Sequence, residues 1–215
     1  MKEIEKIKSL PRGKRWEYIW DYYWYVIVGA LAVIVVGGIM LYSSLSYHKP
    51  MIELIMINTY KSSQEQEKAV QDVLAESGYE LYENAVSVDT SIRFGIDGTS
   101  NAASMNQLMC TTVAGEGDVF FWYGKEFEPY ISQGVLADLQ EYLPEESLKA
   151  VEDKLVYATV EGLPEPYPCG VDLAGNVWAE EHGYLTGGFV GLSRGIENTD
   201  VSVAFLQYVM SQYEQ

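Results

Sequence analysis

The chain has 215 residues, 31 of them acidic and 14 basic, for a formal net charge of −17 at neutral pH. That balance excludes a general nucleic-acid binder, which must neutralise phosphates with clustered Lys and Arg. A hydrophobic share of 48%, with 17 Tyr and 5 Trp, excludes a disordered chain, and two Cys cannot build a disulfide scaffold or a four-thiolate zinc site.

Two regions differ sharply. From Tyr22 to Tyr47 no residue is charged, and the centre of that run, Val26 to Val36, has no polar stripe. A helix over Trp24–Leu45 would be roughly 33 Å long, enough for the hydrocarbon core of a bilayer. Trp16, Trp20, Tyr22, Tyr23, Trp24 and Tyr25 crowd one end, and Tyr42 and Tyr47 mark the other, as aromatic belts do. Lys2, Lys6, Lys8, Arg12, Lys14 and Arg15 precede the run, whereas all but four of the 31 acidic residues follow it. The positive-inside rule then predicts a cytoplasmic segment 1–21, a transmembrane helix 22–45 used as an uncleaved signal anchor, and an extracytoplasmic domain 46–215. A signal peptide cleaved between Leu41 and Ser46 is the competing reading. The acidity of the outer part fits a surface that keeps an exported domain soluble and away from anionic lipid.

After Pro50 the pattern alternates strands and helices. Ile52–Asn58 reads as a buried strand, and Ser62 or Ser63 caps a helix to about Ser77, stopped by Gly78. Ala85–Phe94 alternates as a half-exposed strand, Asp97-Gly98 is a turn, and Ser100–Val113 reads as a helix. Asp118–Gly124 is continuously apolar after its first residue, as a strand covered on both faces would be. A helix over Glu126–Ser132, a segment Val135–Leu139 and a helix from Pro144 through Val156 follow. Pro164, Pro166 and Pro168, at alternate positions, predict a stiff extended connector. Val171–Ala179 and Gly188–Ser193 read as strands, and Asp200 is the expected cap of a last helix carrying Val203, Leu206 and Val209 or Met210. The order predicts an α/β domain with one open, mostly parallel sheet and helices on both faces. Ligands in such folds lie at strand carboxyl ends, here Asn58–Tyr60, Gly95–Asp97 and Trp122–Gly124.

Ala114-Gly115-Glu116-Gly117-Asp118-Val119 followed by Gly134-Val135-Leu136-Ala137-Asp138-Leu139 resembles extracellular solute-binding proteins of bacterial ABC importers (family 1, of the type II periplasmic-binding-protein kind). So does the tail, Gly188–Leu192 with Asn198 and the Ala204–Val209 helix. The resemblance implies a periplasmic-binding-protein type of fold, but such proteins are usually larger and close two lobes on a ligand. Residues 46–215 suffice for about one lobe, and the family's lipid-anchoring cysteine is replaced by the span. The expectation is a reduced, membrane-anchored, non-catalytic solute-binding-like module that binds a small solute or serves as an accessory or sensor component of a transport system. A protein-interaction module without a small-molecule ligand is the alternative.

Candidate chemistry is sparse. Gly191-Leu192-Ser193-Arg194-Gly195 matches the nucleophile-elbow pattern, but that fold requires a His later in the chain. The two His, His48 and His182, both precede Ser193. A Gly-rich turn after a strand is the preferred reading. Trp122, Tyr123 and Trp178, with Tyr184, are candidates for stacking on a sugar or peptide, and Asn58, Asp172 and Arg194 or Arg93 for polar contacts to it. Cys110 and Cys169 fit either one disulfide or two free thiols. Neither has metal-ligand spacing, and no cofactor is expected. The expected partners are the bilayer, a small solute such as a sugar or peptide, and membrane transporter subunits.

Overall fold

The computed structural model describes residues 11–46, 49–94, 102–123, 128–183 and 188–213. The readings placed on Gly95–Asp97, Asp97-Gly98, Gly124, Glu126 and Tyr184 lie outside them. The chain divides into two compact units, Met1–His48 and Lys49–Gln215.

Among the described residues the first unit is one helix, α1 (Arg12–Ser46). Its stretch Tyr23–Tyr42 has a mean hydropathy of 2.5 and is long and apolar enough to cross a membrane. Val33 and Ile34 are each 72% exposed.

The second unit is built on one sheet. Its strands are β1 (Ile52–Ile57), β2 (Val86–Asp89), β3 (Val119–Tyr123), β4 (Leu155–Ala158), β5 (Tyr167–Asp172) and β6 (Gly188–Leu192). The helices between and after them are α2 (Ser63–Glu76), α3 (Ala102–Ala114), α4 (Glu128–Ile131), α5 (Glu145–Ala150), α6 (Val177–Glu181) and α7 (Thr199–Met210). The sheet order is β2-β1-β3-β6-β5-β4. β1 is parallel to both β2 and β3, whereas β6, β5 and β4 add on antiparallel. The expectation of a mostly parallel sheet is therefore corrected: only the first half is parallel. The parallel pairs are joined through α2 and α3, the long crossovers that parallel pairing demands, and β4 and β5 are joined by the short segment 159–166, which reverses the chain.

Two local readings also change. Leu155–Ala158 is a strand, not the end of a helix; the helix that Pro144 opens stops at Ala150. Val171–Ala179 splits, with β5 ending at Asp172 and α6 starting at Val177 behind Asn176, whose side chain accepts from the Ala179 N–H. The proline connector runs into β5 itself. Pro168 pairs with Tyr157 where the β4–β5 register slips, the kind of position at which a strand tolerates a residue without an N–H. The N-cap of α7 is Asn198, with Asp200 in the first turn. The expected start of α2 holds: Ser62 and Glu65 form a reciprocal capping box, and Gly78 follows the helix at φ +86°.

The period-2 alternation of strands sends successive side chains of β1 and β3 into two different buried clusters, and apart from Glu53 their residues are apolar. Ile52, Leu54, Met56, Val119 and Phe121 belong to one buried cluster, with Val70 and Leu74 of α2 and Phe205 and Leu206 of α7. Ile55, Ile57, Phe120 and Trp122 belong to a second, with Leu108 of α3 and Tyr130 and Ile131 of α4. Each strand thus buries both of its faces.

Candidate functional site

Of the strand ends named from the sequence, the described ones are held by their own hydrogen bonds. Asn58, at the end of β1, has φ +60° and is 8% exposed. Its Nδ2 donates to the Tyr123 carbonyl at 3.1 Å, and its Oδ1 accepts the Phe94 N–H at 2.7 Å. Both ends of its amide are thereby used to join β1, β3 and the segment after β2. Tyr123 contributes its carbonyl to that link.

The aromatic candidates are separated by the sheet. Trp122 has no exposed surface and stacks on Phe94 with ring centroids 5.0 Å apart, and Tyr130 lies 5.7 Å away. Trp178 is 4% exposed, stacks on His182 at 4.6 Å, and meets Phe205 edge-on at 5.6 Å. Because Trp122 sits in one cluster and Trp178 in the other, no single ring platform can use both. Asp172 is occupied locally, its Oδ1 accepting the Ala174 N–H at 2.9 Å. Arg93 is exposed on the segment after β2.

Ser193 is fully buried. Its Oγ accepts the Gly195 N–H at 3.3 Å, and its own N–H donates to the Asp118 carbonyl at 2.8 Å. Gly191 is explained by packing, since a Cβ there would lie 2.5 Å from the Cys169 carbonyl oxygen on β5. The pattern around Ser193 is therefore a close-packed strand end. Both cysteines are free thiols, which corrects the disulfide reading: Cys169 is buried on β5 with Sγ donating to the Val156 carbonyl at 3.4 Å, and Cys110 is exposed on α3. Burial pushes the Cys169 thiol up to about 12.

Among the described residues named as candidates for ligand contact, Arg194 borders an open cavity. That cleft has a volume of about 490 Å³ and lies between the segment Leu136–Tyr142 and the proline-rich segment Leu163–Tyr167. Arg194 reaches it because Leu136 bridges to Ser193, the Ala137 N–H donates to the Leu192 carbonyl at 2.9 Å, and the Arg194 N–H donates to the Val135 carbonyl at 3.0 Å. The guanidinium Nη1 lies 3.5 Å from the Gly134 carbonyl. Asp138, Glu141 and Glu165 bring carboxylates to the walls, and Tyr142 and Tyr167 bring rings. Tyr167 donates its hydroxyl to the Leu136 carbonyl at 3.2 Å, and burial raises its phenol above the ordinary range, against a smaller opposing pull from Arg194. Asp138 caps the short turn Leu139–Glu141 by accepting the Gln140 N–H at 2.9 Å. Among the described residues the cleft thus carries three carboxylates, two tyrosine rings and one guanidinium.

Tyr142, Tyr167, Glu141 and Glu165 were not picked out from the sequence. The signal available was the alternation of Pro164, Pro166 and Pro168, which holds an extended wall without closing it. Among the described residues no group of three or more His, Cys, Asp or Glu is placed to hold a metal ion.

No family model, curated protein or solved structure matches this chain.

Proposed function

We propose that the chain is a single-pass, membrane-anchored, non-catalytic module that presents its acidic α/β domain outside the cell and docks a protein partner there, a transport subunit being one such class. The span Tyr23–Tyr42 supports the anchor, and the basic residues ahead of it support a cytoplasmic N-terminus. One observation carries the choice of a protein partner over a solute. Trp122 and Trp178, the rings a sugar or peptide side chain would stack on, are 0% and 4% exposed in separate clusters. The Arg194 cleft, by contrast, is open, with the carboxylates of Asp138, Glu141 and Glu165 on its walls.

A small polar solute held in the Arg194 cleft is the second reading, favoured by a volume of about 490 Å³ that lies within the range of ligand pockets. Thermal unfolding of the full chain in lipid nanodiscs, screened against sugars, amino acids and oligopeptides, separates the two. A ligand bound only by the native state raises the melting temperature. Stabilisation by a sugar or an amino acid selects the solute reading. A flat small-molecule screen, together with one discrete protein crosslinked in membranes through a photoreactive group at exposed Leu163, supports the interaction module. A flat screen with no crosslinked protein overturns both.

A further inference from the structure

The charges of the Arg194 cleft are unbalanced. Asp138, Glu141 and Glu165 line it, and among the described residues none of the three is in an ion pair. Glu141 and Glu165 are exposed, and Asp138 is half-buried with one oxygen already taken by the Gln140 N–H. Arg194 is held by the backbone instead. Its Nη1 is 3.5 Å from the Gly134 carbonyl, and a Cβ on Gly134, which has φ +71°, would come within 3.1 Å of that nitrogen. Tyr142 and Tyr167 are each half-buried, so part of each ring is open to the cleft, and the Tyr167 ring is fixed by its hydroxyl on the Leu136 carbonyl.

Unpaired carboxylates beside aromatic rings suit an ammonium or guanidinium, through charge-assisted hydrogen bonds and attraction to the ring face. The excess of acidic over basic residues in the chain draws a cation in from a distance and turns an anion away. The rest of the wall favours a cation carried on a polypeptide over a free amine. Leu163 is 47% exposed in the same cleft, apolar surface on which the alkyl stem of a long basic side chain can lie. Arg194 offers N–H donors that a peptide carbonyl can accept and a simple amine cannot. We propose that the Arg194 cleft takes up a Lys or Arg side chain of a partner protein. The cation meets Glu141, Glu165 and the two tyrosine rings, Asp138 adds its charge, and a neighbouring backbone carbonyl accepts from Arg194. This inference rests on the reading of the α/β domain as an interaction module.

The test uses the full chain in nanodiscs of uncharged lipid and a fluorescent peptide, Gly-Leu-Arg-Leu-Gly with both ends blocked, followed by anisotropy. The same peptide with citrulline for Arg keeps the shape, loses the charge, and is expected to bind at least about tenfold more weakly. Glu141→Gln with Glu165→Gln should weaken the Arg peptide by about tenfold. Glu116→Gln with Glu180→Gln, two exposed acids outside the cleft, should change it by less than about twofold. Both pairs remove the same charge, so the contrast separates the cleft from the general field of the domain. No binding of the Arg peptide, equal binding of the citrulline peptide, or an equal effect of the two pairs of substitutions would overturn the proposal. Arginine amide or spermidine binding as tightly as the peptide would also overturn it, by making the occupant a free cation. The interaction reading fails separately. A protein crosslinked at Leu163 in equal yield with and without the Glu141→Gln, Glu165→Gln pair keeps that reading and removes this site. Arg-peptide binding with no crosslinked protein counts against that reading and leaves the cation chemistry of the cleft standing.

Discussion

Asn198 donates its side-chain Nδ2 to Asp118 Oδ2 at 2.9 Å, across 80 positions of sequence. The Glu197 and Asn198 N–H groups both donate to Asp118 Oδ1 at 3.1 Å, and the Glu53 N–H donates to Oδ2 at 3.0 Å. Asp118 is 1% exposed, so this carboxylate exchanges water for four protein donors and ties β1, β3 and the turn before α7 into one knot. Asp118→Ala would leave those donors unmet and is expected to lower stability by about 3 kcal/mol or more. Asn198→Ala removes one donor and should cost about 1 to 2 kcal/mol. Urea unfolding of both variants checks the order; an Asp118→Ala protein as stable as the parent would refute the knot.

Trp122 is a test of core against ligand contact. Trp122→Ala should destabilise by about 3 to 5 kcal/mol, as large-to-small changes at fully buried aromatics do. Trp122→Phe should recover most of that loss, because Phe94 and Tyr130 keep a ring to pack on. Thermal melts of the two variants suffice.

Gly191 allows β6 to approach β5. Gly191→Ala would place a methyl 2.5 Å from the Cys169 carbonyl, a backbone atom that cannot swing away. The expected cost is about 1 to 3 kcal/mol from overpacking, measured as a fall in the urea midpoint. Gly78→Ala, with open space around the added methyl but φ +86°, isolates the strain of the left-handed backbone from the clash.

Alkali should unfold the α/β domain. The Cys169 thiol, ordinarily near 9, is pushed up to about 12 by burial, so the folded form holds this proton more firmly than the unfolded chain. Its contribution is fully present below about pH 9 and is lost as pH rises toward about 12. Burial raises Tyr167 and Tyr213 in the same direction. Circular-dichroism melts from neutral to alkaline pH should show a falling Tm, with a shallower slope in Cys169→Ala. An equal slope would remove Cys169 from the account.

Cys110 reports topology. It is exposed, whereas Cys169 is fully buried, so native alkylation should modify Cys110 alone and denaturation should release the second thiol. With the proposed orientation, a membrane-impermeant maleimide added to intact cells labels Cys110. Labelling only after lysis would reverse the topology.

Part of this architecture could be read one residue at a time. The run Trp24–Leu45 is apolar at every depth, and transfer to hydrocarbon is close to a sum over residues, so no fold is needed to recognise it. The α2 capping box is equally local: Ser62 and Glu65 carry out their exchange within one helical turn. The burial of β3 on both faces followed from its unbroken apolar run, and the strand spans Val119–Tyr123 as that run implies.

The sites resisted the same treatment. Trp122 and Trp178 look alike in the sequence, and only strand parity and sheet position set them in different clusters. Gly191-Leu192-Ser193-Arg194-Gly195 has the letters of a catalytic turn, yet what it meets is the backbone of β5. Pro168 reads as a breaker until a bulge opposite Tyr157 gives it a place in a strand.

Local chemistry, summed along the chain, determined that one segment suits a bilayer and that the rest is an acidic α/β domain. Strand direction after β3, the separation of the aromatic residues, the burial of Asp118 among four donors and the cleft beside Arg194 were decided by tertiary structure alone. Each of them depends on groups far apart in sequence arriving at hydrogen-bonding or van der Waals distance, and no window of neighbouring residues contains that information.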